Sequence, residues 1–304
     1  MSWRLRIFLW LLHRNPEQLP IVDIGEYRRN AERTWKRNRR WIDGRLVKVK
    51  GITDTTIPNR HHDPIRIRIY HPTHDMGRTM FYLHGGGWVG RTLDTYDNFC
   101  RRVCRHTKTT VYSIEYRKAP ETPFPGAIED GIDVIKYLVD HTGLDQDHLI
   151  LCGDSAGGNM AISIAYLLQQ TIRFQKLLAL YPPLSADFDY PSFARYGKGY
   201  IIEKEVISWM RNQYLPHKDS YSNVLASPLS HKSLDFLPRT MITIGGRDPL
   251  QDHVKAFRDR MVNEGQPLVF YEYDDLPHGF YLLQNLSRSV QNAYTDVYRF
   301  IESE

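Results

Sequence analysis

Residues 153–159 read Gly-Asp-Ser-Ala-Gly-Gly-Asn and decide the fold of this 304-residue chain. They follow a short apolar run at residues 148–152 and open a stretch with helical spacing at residues 160–170. A strand, a tight Gly-x-Ser-x-Gly turn and a helix, in that order, predict a turn that exposes Ser155. A serine hydroxyl is a poor nucleophile unless it is exposed and paired with a base. The same pentapeptide also occurs in ordinary strand–helix loops, so its partners elsewhere in the chain decide between the two interpretations.

A glycine-rich loop lies upstream of this serine motif. Residues 80–83 predict a buried strand, and residues 84–88 (His-Gly-Gly-Gly-Trp) follow it. Consecutive glycines leave backbone N–H groups free to point at a ligand, and acyl transfer needs such donors where a carbonyl oxygen becomes an oxyanion. The N–H of Ala156, just after the serine, is a further donor. A flexible turn or a phosphate-binding loop is the alternative, but no Lys-Ser or Lys-Thr pair follows the glycines.

A candidate acid follows the serine in the chain. Residues 240–244 form a β-rich run, and Asp248 comes shortly after it. The sites of open α/β sheets lie just beyond the carboxyl ends of the strands, which is where this places Asp248. The nearest competitor is Asp252, one helical turn further on. We expect Asp252 to cap or to lie on the solvated side of a helix at residues 251–263.

A candidate base follows the acid. Residues 269–273 alternate like a strand, and we interpret residues 274–280 as a loop that carries His278 beside a glycine. A lone histidine is usually a surface or packing residue. Here its position completes the chain order serine, aspartate, histidine, which is one of the known orders of a serine triad.

Together these segments resemble the hormone-sensitive lipase family of α/β-hydrolases, in its Gly-Asp-Ser-Ala-Gly group. The likeness runs from about residue 64 to the C-terminus, whereas the first sixty or so residues match poorly. The motifs that carry it are residues 84–87, 116–121, 124–127, 129–130, 153–159, 248–252 and 277–280.

The resemblance implies a serine carboxylesterase with the following site. The catalytic triad would be Ser155, Asp248 and His278. The oxyanion donors would be Gly86, Gly87 and Ala156, with His84 and Gly85 supporting the loop. The fold it implies is α/β, an α/β-hydrolase fold with a mostly parallel central sheet, helices on both faces and a helical cap. The alternation of strand and helix patterns along the chain agrees with such a sheet.

The chain is predicted to divide into a core and two cap elements. Residues 1–45 form an N-terminal cap segment, residues 46–183 and 224–304 form the core, and residues 184–223 form a cap insertion. The insertion is rich in aromatic side chains, which favours an apolar substrate cleft. Simple packing of the insertion against the core is the alternative, and both can hold. The aromatic residues are Phe188, Tyr190, Phe193, Tyr196, Tyr200, Trp209, Tyr214 and Tyr221.

Composition is typical of a globular protein, with 41% hydrophobic and 25% charged residues. The odd set of Cys100, Cys104 and Cys152 does not make a disulfide framework and suits a reducing, cytoplasmic location. Cys100 and Cys104 share a helix face with His106 nearby, but buried small apolar side chains explain them better than a metal does. We predict no metal and no cofactor.

Positive charge is concentrated near the N-terminus. Residues 1–50 contain 13 Lys and Arg against 5 Asp and Glu, while the whole chain carries +5. Residues 28–40 could therefore contact nucleic acid or an anionic membrane. However, Arg29, Arg33 and Arg40 fall near one helical stripe, and Tyr27 and Trp35 lie elsewhere. We interpret this as an amphipathic helix with a solvated basic face and predict no nucleic-acid binding.

The segment Met1 to Leu12 leaves two interpretations open. Its apolar run is too short to span a bilayer, and it lacks the pattern of a signal peptide. It is either a cap helix over the active-site mouth or an interfacial helix that makes peripheral membrane contact, with Arg4, Arg6 and Arg14 at the lipid headgroups. The cap is favoured, because an exposed patch this apolar would be a liability.

We therefore expect hydrolysis of a small apolar ester of short to medium acyl chain. Amide, lactone or carbamate hydrolysis on the same triad is the first alternative. A non-catalytic ligand receptor on the same scaffold is the second, although such receptors lose a triad member. A homodimer through the last strand and helix is also expected from the resemblance.

Overall fold

The computed structural model describes residues 1–14 and 23–303, and within those ranges it contains eight strands and nine α-helices. The strands are β1 (Gly51–Pro58), β2 (Pro64–His71), β3 (Thr79–Leu83), β4 (Thr110–Glu115), β5 (Leu149–Asp154), β6 (Lys176–Leu180), β7 (Arg239–Arg247) and β8 (Leu268–Pro277). The helices are α1 (Trp3–Leu12), α2 (Ile24–Ile42), α3 (Leu93–Thr107), α4 (Gly126–Thr142), α5 (Ala156–Leu168), α6 (Pro191–Tyr196), α7 (Lys204–Tyr214), α8 (Gln251–Asn263) and α9 (Arg288–Glu302).

All eight strands form one sheet in the order β1-β2-β4-β3-β5-β6-β7-β8. Strand β2 pairs antiparallel with both β1 and β4, and the other pairs of neighbouring strands are parallel. Every residue of β3, β5 and β6 is buried, as expected of strands covered on both faces. Helix α3 packs with α9, and α4 packs with α5, so two helical layers cover the sheet. The predicted α/β-hydrolase architecture is confirmed.

The carboxyl ends of the parallel strands bring the candidate site residues to one edge of the sheet. His84 follows β3, Ser155 follows β5, Asp248 follows β7 and His278 follows β8. Residues that are far apart in the chain therefore lie together because each one directly follows a neighbouring or nearby strand.

The prediction of a loop at residues 274–280 is wrong for residues 274–277, because β8 extends to Pro277. The pairing continues because β7 contains glycines where the two strands approach closely. A Cβ on Gly245 would lie 2.3 Å from the carbonyl oxygen of Leu276. The register shifts between Gly245 and Arg247, and Arg247 pairs with Pro277. Asp274 and Asp275 therefore lie on β8, the last strand in the sheet order.

The N-terminal segment forms two helices, α1 and α2, and residues 15–22 of it lie outside the described residues. On α2, Arg29, Arg33 and Arg40 are exposed and Trp35 is buried, as the amphipathic interpretation predicts. Across residues 1–14 and 23–303, no helix is both long and apolar enough to cross a membrane.

The aromatic insertion has a small core of its own. Phe188, Phe193, Ile207 and Leu250 form a separate buried cluster between the insertion and the start of α8. Part of the aromatic content therefore packs the insertion rather than lining a cleft.

The expectation for Asp252 is corrected in the same region. Its carboxylate accepts a hydrogen bond from a backbone N–H of α6, at 2.7 Å, and so holds α6 against α8.

The assignment of residues 1–45 and 184–223 as cap elements stays a prediction, and so does the homodimer. Strand β8 lies at one edge of the sheet, with α9 packed against it. This is the surface on which the dimer was expected.

Candidate active site

Ser155 lies in a strained turn between β5 and α5. Its backbone has φ +49° and ψ −121°, a conformation that non-glycine residues rarely adopt. The turn is possible because glycines flank it. A Cβ on Gly153 would lie 2.1 Å from the carbonyl oxygen of Gly157, and a Cβ on Gly157 would lie 1.9 Å from that of Leu83. The local sequence thus lets strand and helix meet without side chains between them.

A continuous hydrogen-bond chain joins Ser155, His278 and Asp248. His278 Nε2 lies 2.8 Å from Ser155 Oγ, and His278 Nδ1 lies 2.7 Å from Asp248 Oδ2. A carboxylate can only accept, so Nδ1 carries the proton in this arrangement and Nε2 is free to accept from the serine hydroxyl. The other oxygen of Asp248 accepts from the backbone N–H of Leu250 at 2.9 Å, which fixes the carboxylate.

The hydrogen-bond chain of Ser155, His278 and Asp248 is largely shielded from water. Asp248 is completely buried, and Ser155 is only 8% exposed, so the prediction that the turn exposes this serine is wrong. The ring of Tyr181 lies 4.9 Å from the imidazole of His278 and covers one side of it. Because water is excluded, the hydrogen bonds of this chain are stronger than they would be at the surface.

The glycine loop after β3 contains backbone N–H groups that are available as hydrogen-bond donors. Gly86 and Gly87 have φ +122° and +61°, which favour glycine at both positions. The carbonyl of Gly86 accepts from the N–H of Val89 and of Gly90, and this turn holds the loop in shape. Within the described ranges, the N–H groups of Gly86, Gly87 and Ala156 donate no hydrogen bond to the protein. They are therefore available to an oxyanion.

Asp154 ties this loop to the serine turn. Its Oδ1 accepts from the N–H of Gly85 at 2.7 Å and from the hydroxyl of Tyr82 at 2.6 Å. Burial raises the pKa of Asp154 to about 6, although the hydroxyls of Tyr82 and Tyr96 oppose the shift. The N–H of Gly85 is thus used inside the protein, which separates this residue from the free donors at Gly86 and Gly87.

The side chain of His84 packs against the glycine loop and supports it. Its ring stacks on Tyr116 with 4.3 Å between centroids, and its Nδ1 lies 2.7 Å from the carbonyl oxygen of Gly85. A carbonyl only accepts, so Nδ1 carries the proton. Burial lowers the pKa of His84 to about 4, so the ring is neutral at physiological pH. The side chain acts as a fixed hydrogen-bond donor to the loop.

Two further residues contact the glycine loop or the residue that follows it, and both were missed from the sequence. Met210 of α7 packs on Gly87, since a Cβ there would lie 2.2 Å from its sulfur. Arg28 of α2 donates to the carbonyl oxygens of Val89 and Ala119, both at 2.7 Å. In the sequence Arg28 is one arginine of a basic run and Met210 one apolar residue of a helix. Neither position carries a local signal that would have identified it.

The site residues predicted from the sequence are therefore brought together at one sheet edge. Their arrangement is that of the serine hydrolases with an α/β sheet. A family described as having the alpha/beta hydrolase fold matches residues 80–282 of the chain. The chain belongs to this family, in its hormone-sensitive lipase-like branch, and is a hydrolase of the serine esterase type.

Curated relatives and solved structures agree with this placement. The chain is 28% identical to ethyl acetate hydrolase of Pseudomonas putida over 82% of both chains. It is 32% identical to carboxylic ester hydrolase LipN of Mycobacterium tuberculosis over 75% of this chain and 64% of that one. A hyperthermophilic esterase from the archaeon Pyrobaculum calidifontis superposes with a TM-score of 0.91 at 27% identity, covering 99% of this chain and 98% of that one.

Proposed function

We propose that this protein hydrolyses carboxylic esters of short to medium acyl chain through an acyl-enzyme on Ser155. The observation that carries the proposal is the chain of two hydrogen bonds, 2.8 Å and 2.7 Å long, from Ser155 Oγ through His278 to Asp248. The free N–H donors of the adjacent glycine loop supply the second requirement of acyl transfer, a place for the oxyanion.

In the first half of the reaction, Ser155 Oγ attacks the acyl carbon as its proton moves to Nε2 of His278. Asp248 holds the imidazole in the productive tautomer and stabilises its positive charge. The carbonyl oxygen becomes an oxyanion within reach of the N–H groups of Gly86, Gly87 and Ala156. Loss of one such donor costs about 3–4 kcal/mol of transition-state stabilisation in comparable enzymes.

Collapse of this intermediate expels the alcohol, which takes the proton from Nε2, and leaves the acyl group esterified to Ser155. Water then gives a proton to Nε2 of His278 and attacks the ester. A second oxyanion forms in the same place, and its collapse releases the carboxylic acid and returns the proton to Ser155 Oγ. The protein thus ends each cycle unchanged, without a cofactor.

The limit on acyl length rests on the side chains around the glycine loop. Met210 lies directly on Gly87, and the indole of Trp88 stacks on Tyr214 with 4.5 Å between centroids and 3° between planes. Phe124 packs edge-on against the same tyrosine. Met210 restricts the space beside Gly87, and the stacked rings hold this region rigid, which favours small apolar esters.

Hydrolysis of p-nitrophenyl esters of increasing acyl length, with the Ser155→Ala variant beside the wild type, tests this function. We expect serine-dependent activity that falls steeply beyond medium chains. Folded wild-type protein without activity on any ester would overturn the proposal. Anilides, lactones and carbamates in the same assay would then show whether the triad serves one of those reactions, and inactivity on all of them would indicate a receptor.

We also propose a reducing, cytoplasmic location. The support is that Cys100, Cys104 and Cys152 are free thiols, all buried. Proteins secreted into an oxidising compartment usually contain cysteines that are paired in disulfides.

A further inference from the structure

Helix α1 is apolar on two opposite faces, and among the residues that the structure describes only one of these faces is packed against the protein. Leu5 and Leu9 are buried in the main core. The other face carries Trp3 and Trp10, which are 67% and 60% exposed, with Ile7 between them. At about 100° of rotation per residue, positions 3, 7 and 10 form one stripe opposite positions 5 and 9. The inner face accounts for the packing of the helix, whereas the outer face is exposed as far as residues 1–14 and 23–303 show.

The exposed apolar surface extends onto the end of α2. Trp41 is 46% exposed and lies beside α1, where its ring is 6.1 Å from that of Phe8. Between the two helices is a groove of about 390 Å³. The residues that line it are Trp3, Arg4, Ile7, Arg40, Trp41 and Asn285. Two tryptophans and two arginines thus share one concave surface.

Arginines border the apolar stripe on both flanks and past the C-terminal end of α1, while Asp275 lies near the Met1 amine and Glu203 near His13. Arg4 and Arg6 lie on its two flanks, and Arg14 lies just past the end of α1. The guanidinium of Arg4 is 5.4 Å from the ring centroid of Trp3, and that of Arg14 is 4.9 Å from Trp10. Helix α1 contains no acidic residue. The face is therefore apolar at its centre and positively charged at its rim.

The helix is firmly attached where it meets the protein. The hydroxyl of Ser2 caps α1 and donates to the carbonyl oxygen of Leu286. Arg4 donates to the carbonyl oxygen of Asn285 at 3.4 Å, and the side-chain amide of Asn285 donates to the carbonyl oxygens of Arg40 and Trp41 at the end of α2, both at 3.3 Å. The exposed stripe is consequently part of a fixed surface rather than of a loose terminus.

We propose that this face, made of α1 and the end of α2, docks on an anionic phospholipid surface. Tryptophan is favoured at the boundary between hydrocarbon and headgroups, because its ring is apolar and its N–H is polar. Arginine extends its charged end toward phosphate while its stem stays apolar. In the groove, Arg4 and Arg40 are placed to contact a lipid phosphate, with Trp3 and Trp41 beside the acyl chains.

Charge complementarity favours this occupant over a second copy of the chain. A symmetric contact would bring the arginine rims of two α1 helices together, and like charges repel. An anionic bilayer neutralises the same arginines. The inference does not depend on the ester chemistry, because it concerns a surface outside the triad and the glycine loop. Docking through the outer face of α1 is also compatible with a cap role for the inner face, which packs against the protein.

Sedimentation with vesicles tests the proposal. Wild-type protein should bind vesicles of phosphatidylcholine mixed with phosphatidylglycerol at least about tenfold more tightly than vesicles of phosphatidylcholine alone, because each basic side chain near an anionic surface contributes about a factor of five. Binding should weaken as salt is added. The variants Trp3→Ser/Trp10→Ser and Arg4→Gln/Arg40→Gln should each lose about tenfold or more.

Matched controls come from exposed residues elsewhere on the surface. Val262→Ser removes an exposed apolar side chain from α8, and Arg173→Gln removes an exposed arginine, so both should bind like the wild type. Thermal unfolding of every variant shows that the fold is kept. Wild-type protein that ignores anionic vesicles would overturn the proposal. So would a tryptophan variant that binds like the controls, or a dimer in solution that the Trp3→Ser/Trp10→Ser substitutions dissociate.

Discussion

Asp154 Oδ1 accepts a hydrogen bond of 2.7 Å from the backbone N–H of Gly85, and this contact joins the two halves of the proposed oxyanion site. One half is the turn that carries Ser155, and the other is the glycine loop after β3. The two segments are about seventy residues apart in the chain. Their relative position determines whether the free N–H groups of Gly86 and Gly87 face the reacting carbonyl.

We therefore expect Asp154→Ala to reduce kcat by about 10- to 100-fold, because a displacement of the donors by a fraction of an ångström weakens the oxyanion contact. Asp154→Asn keeps an oxygen acceptor for the N–H of Gly85 and should retain most of the activity. Steady-state kinetics on a short p-nitrophenyl ester measures both. Equal kcat in the alanine variant and the wild type would show that the hydrogen bond does not position the loop.

The buried carboxyl of Asp154 should make stability depend on pH. Burial raises its pKa from 3.8 to about 6 in the folded protein. The folded state therefore binds this proton more tightly than the unfolded state, so the contribution of the group to stability is complete below pH 3.8 and is lost as the pH rises through 6. The loss is about 3 kcal/mol.

Urea unfolding of the wild type and of Asp154→Asn at about pH 4 and pH 7 measures this effect, because asparagine does not titrate. The free energy of unfolding of the wild type, relative to the variant, should be lower at the higher pH. A difference between the two proteins that is the same at both values would contradict the expected direction.

Gly157→Ala should disrupt the serine turn. The new Cβ would lie 1.9 Å from the carbonyl oxygen of Leu83 and 2.9 Å from that of His84. Both atoms belong to the backbone, so strand and helix must separate. We expect a loss of about 3 kcal/mol or more of stability and nearly complete loss of turnover.

Gly143→Ala is the matched control for this substitution. Gly143 has φ +62° and no atom within 4 Å of the added Cβ, so it should cost only the backbone strain of about 1–2 kcal/mol and leave turnover unchanged. Thermal unfolding and ester hydrolysis compare the two variants. A Gly157→Ala protein as stable and as active as the control would refute the close contact.

Met210→Ala should move the acyl preference toward longer chains, because the side chain on Gly87 is removed. Each additional methylene that fits the new space is worth about 0.8 kcal/mol, so two of them should raise kcat/KM on the longer ester by about tenfold relative to the shorter one. Met76→Ala, at an exposed methionine, is the control and should keep the wild-type profile. An unchanged length profile in Met210→Ala would exclude this side chain from the acyl pocket.

The sequence predicted well which residues meet at this edge of the sheet, because each candidate site residue directly follows a strand. Strand β5, the Gly-x-Ser-x-Gly turn and helix α5 are encoded within about twenty adjacent residues. Glycine spacing and apolar runs are local signals, and the parallel sheet then brings Asp248 and His278 to the same edge. The catalytic roles assigned to these residues stay predictions until they are tested.

What could not be predicted depends on contacts between distant segments. Arg28 contacts the backbone of Val89, next to the glycine loop, only because α2 lies over it, and Met210 covers Gly87 only because the insertion folds back. Strand β8 continues to Pro277 because Gly245 of the neighbouring strand leaves room for its backbone. In each case the deciding atom belongs to another element.

Labelling with a fluorophosphonate probe tests the central claim most directly, because only an activated serine reacts with it. We expect one equivalent of probe on Ser155, identified by peptide mass, with loss of ester hydrolysis in proportion to labelling and no labelling of Ser155→Ala. Labelling at another residue, or ester hydrolysis that persists in Ser155→Ala, would contradict the proposed acyl-enzyme.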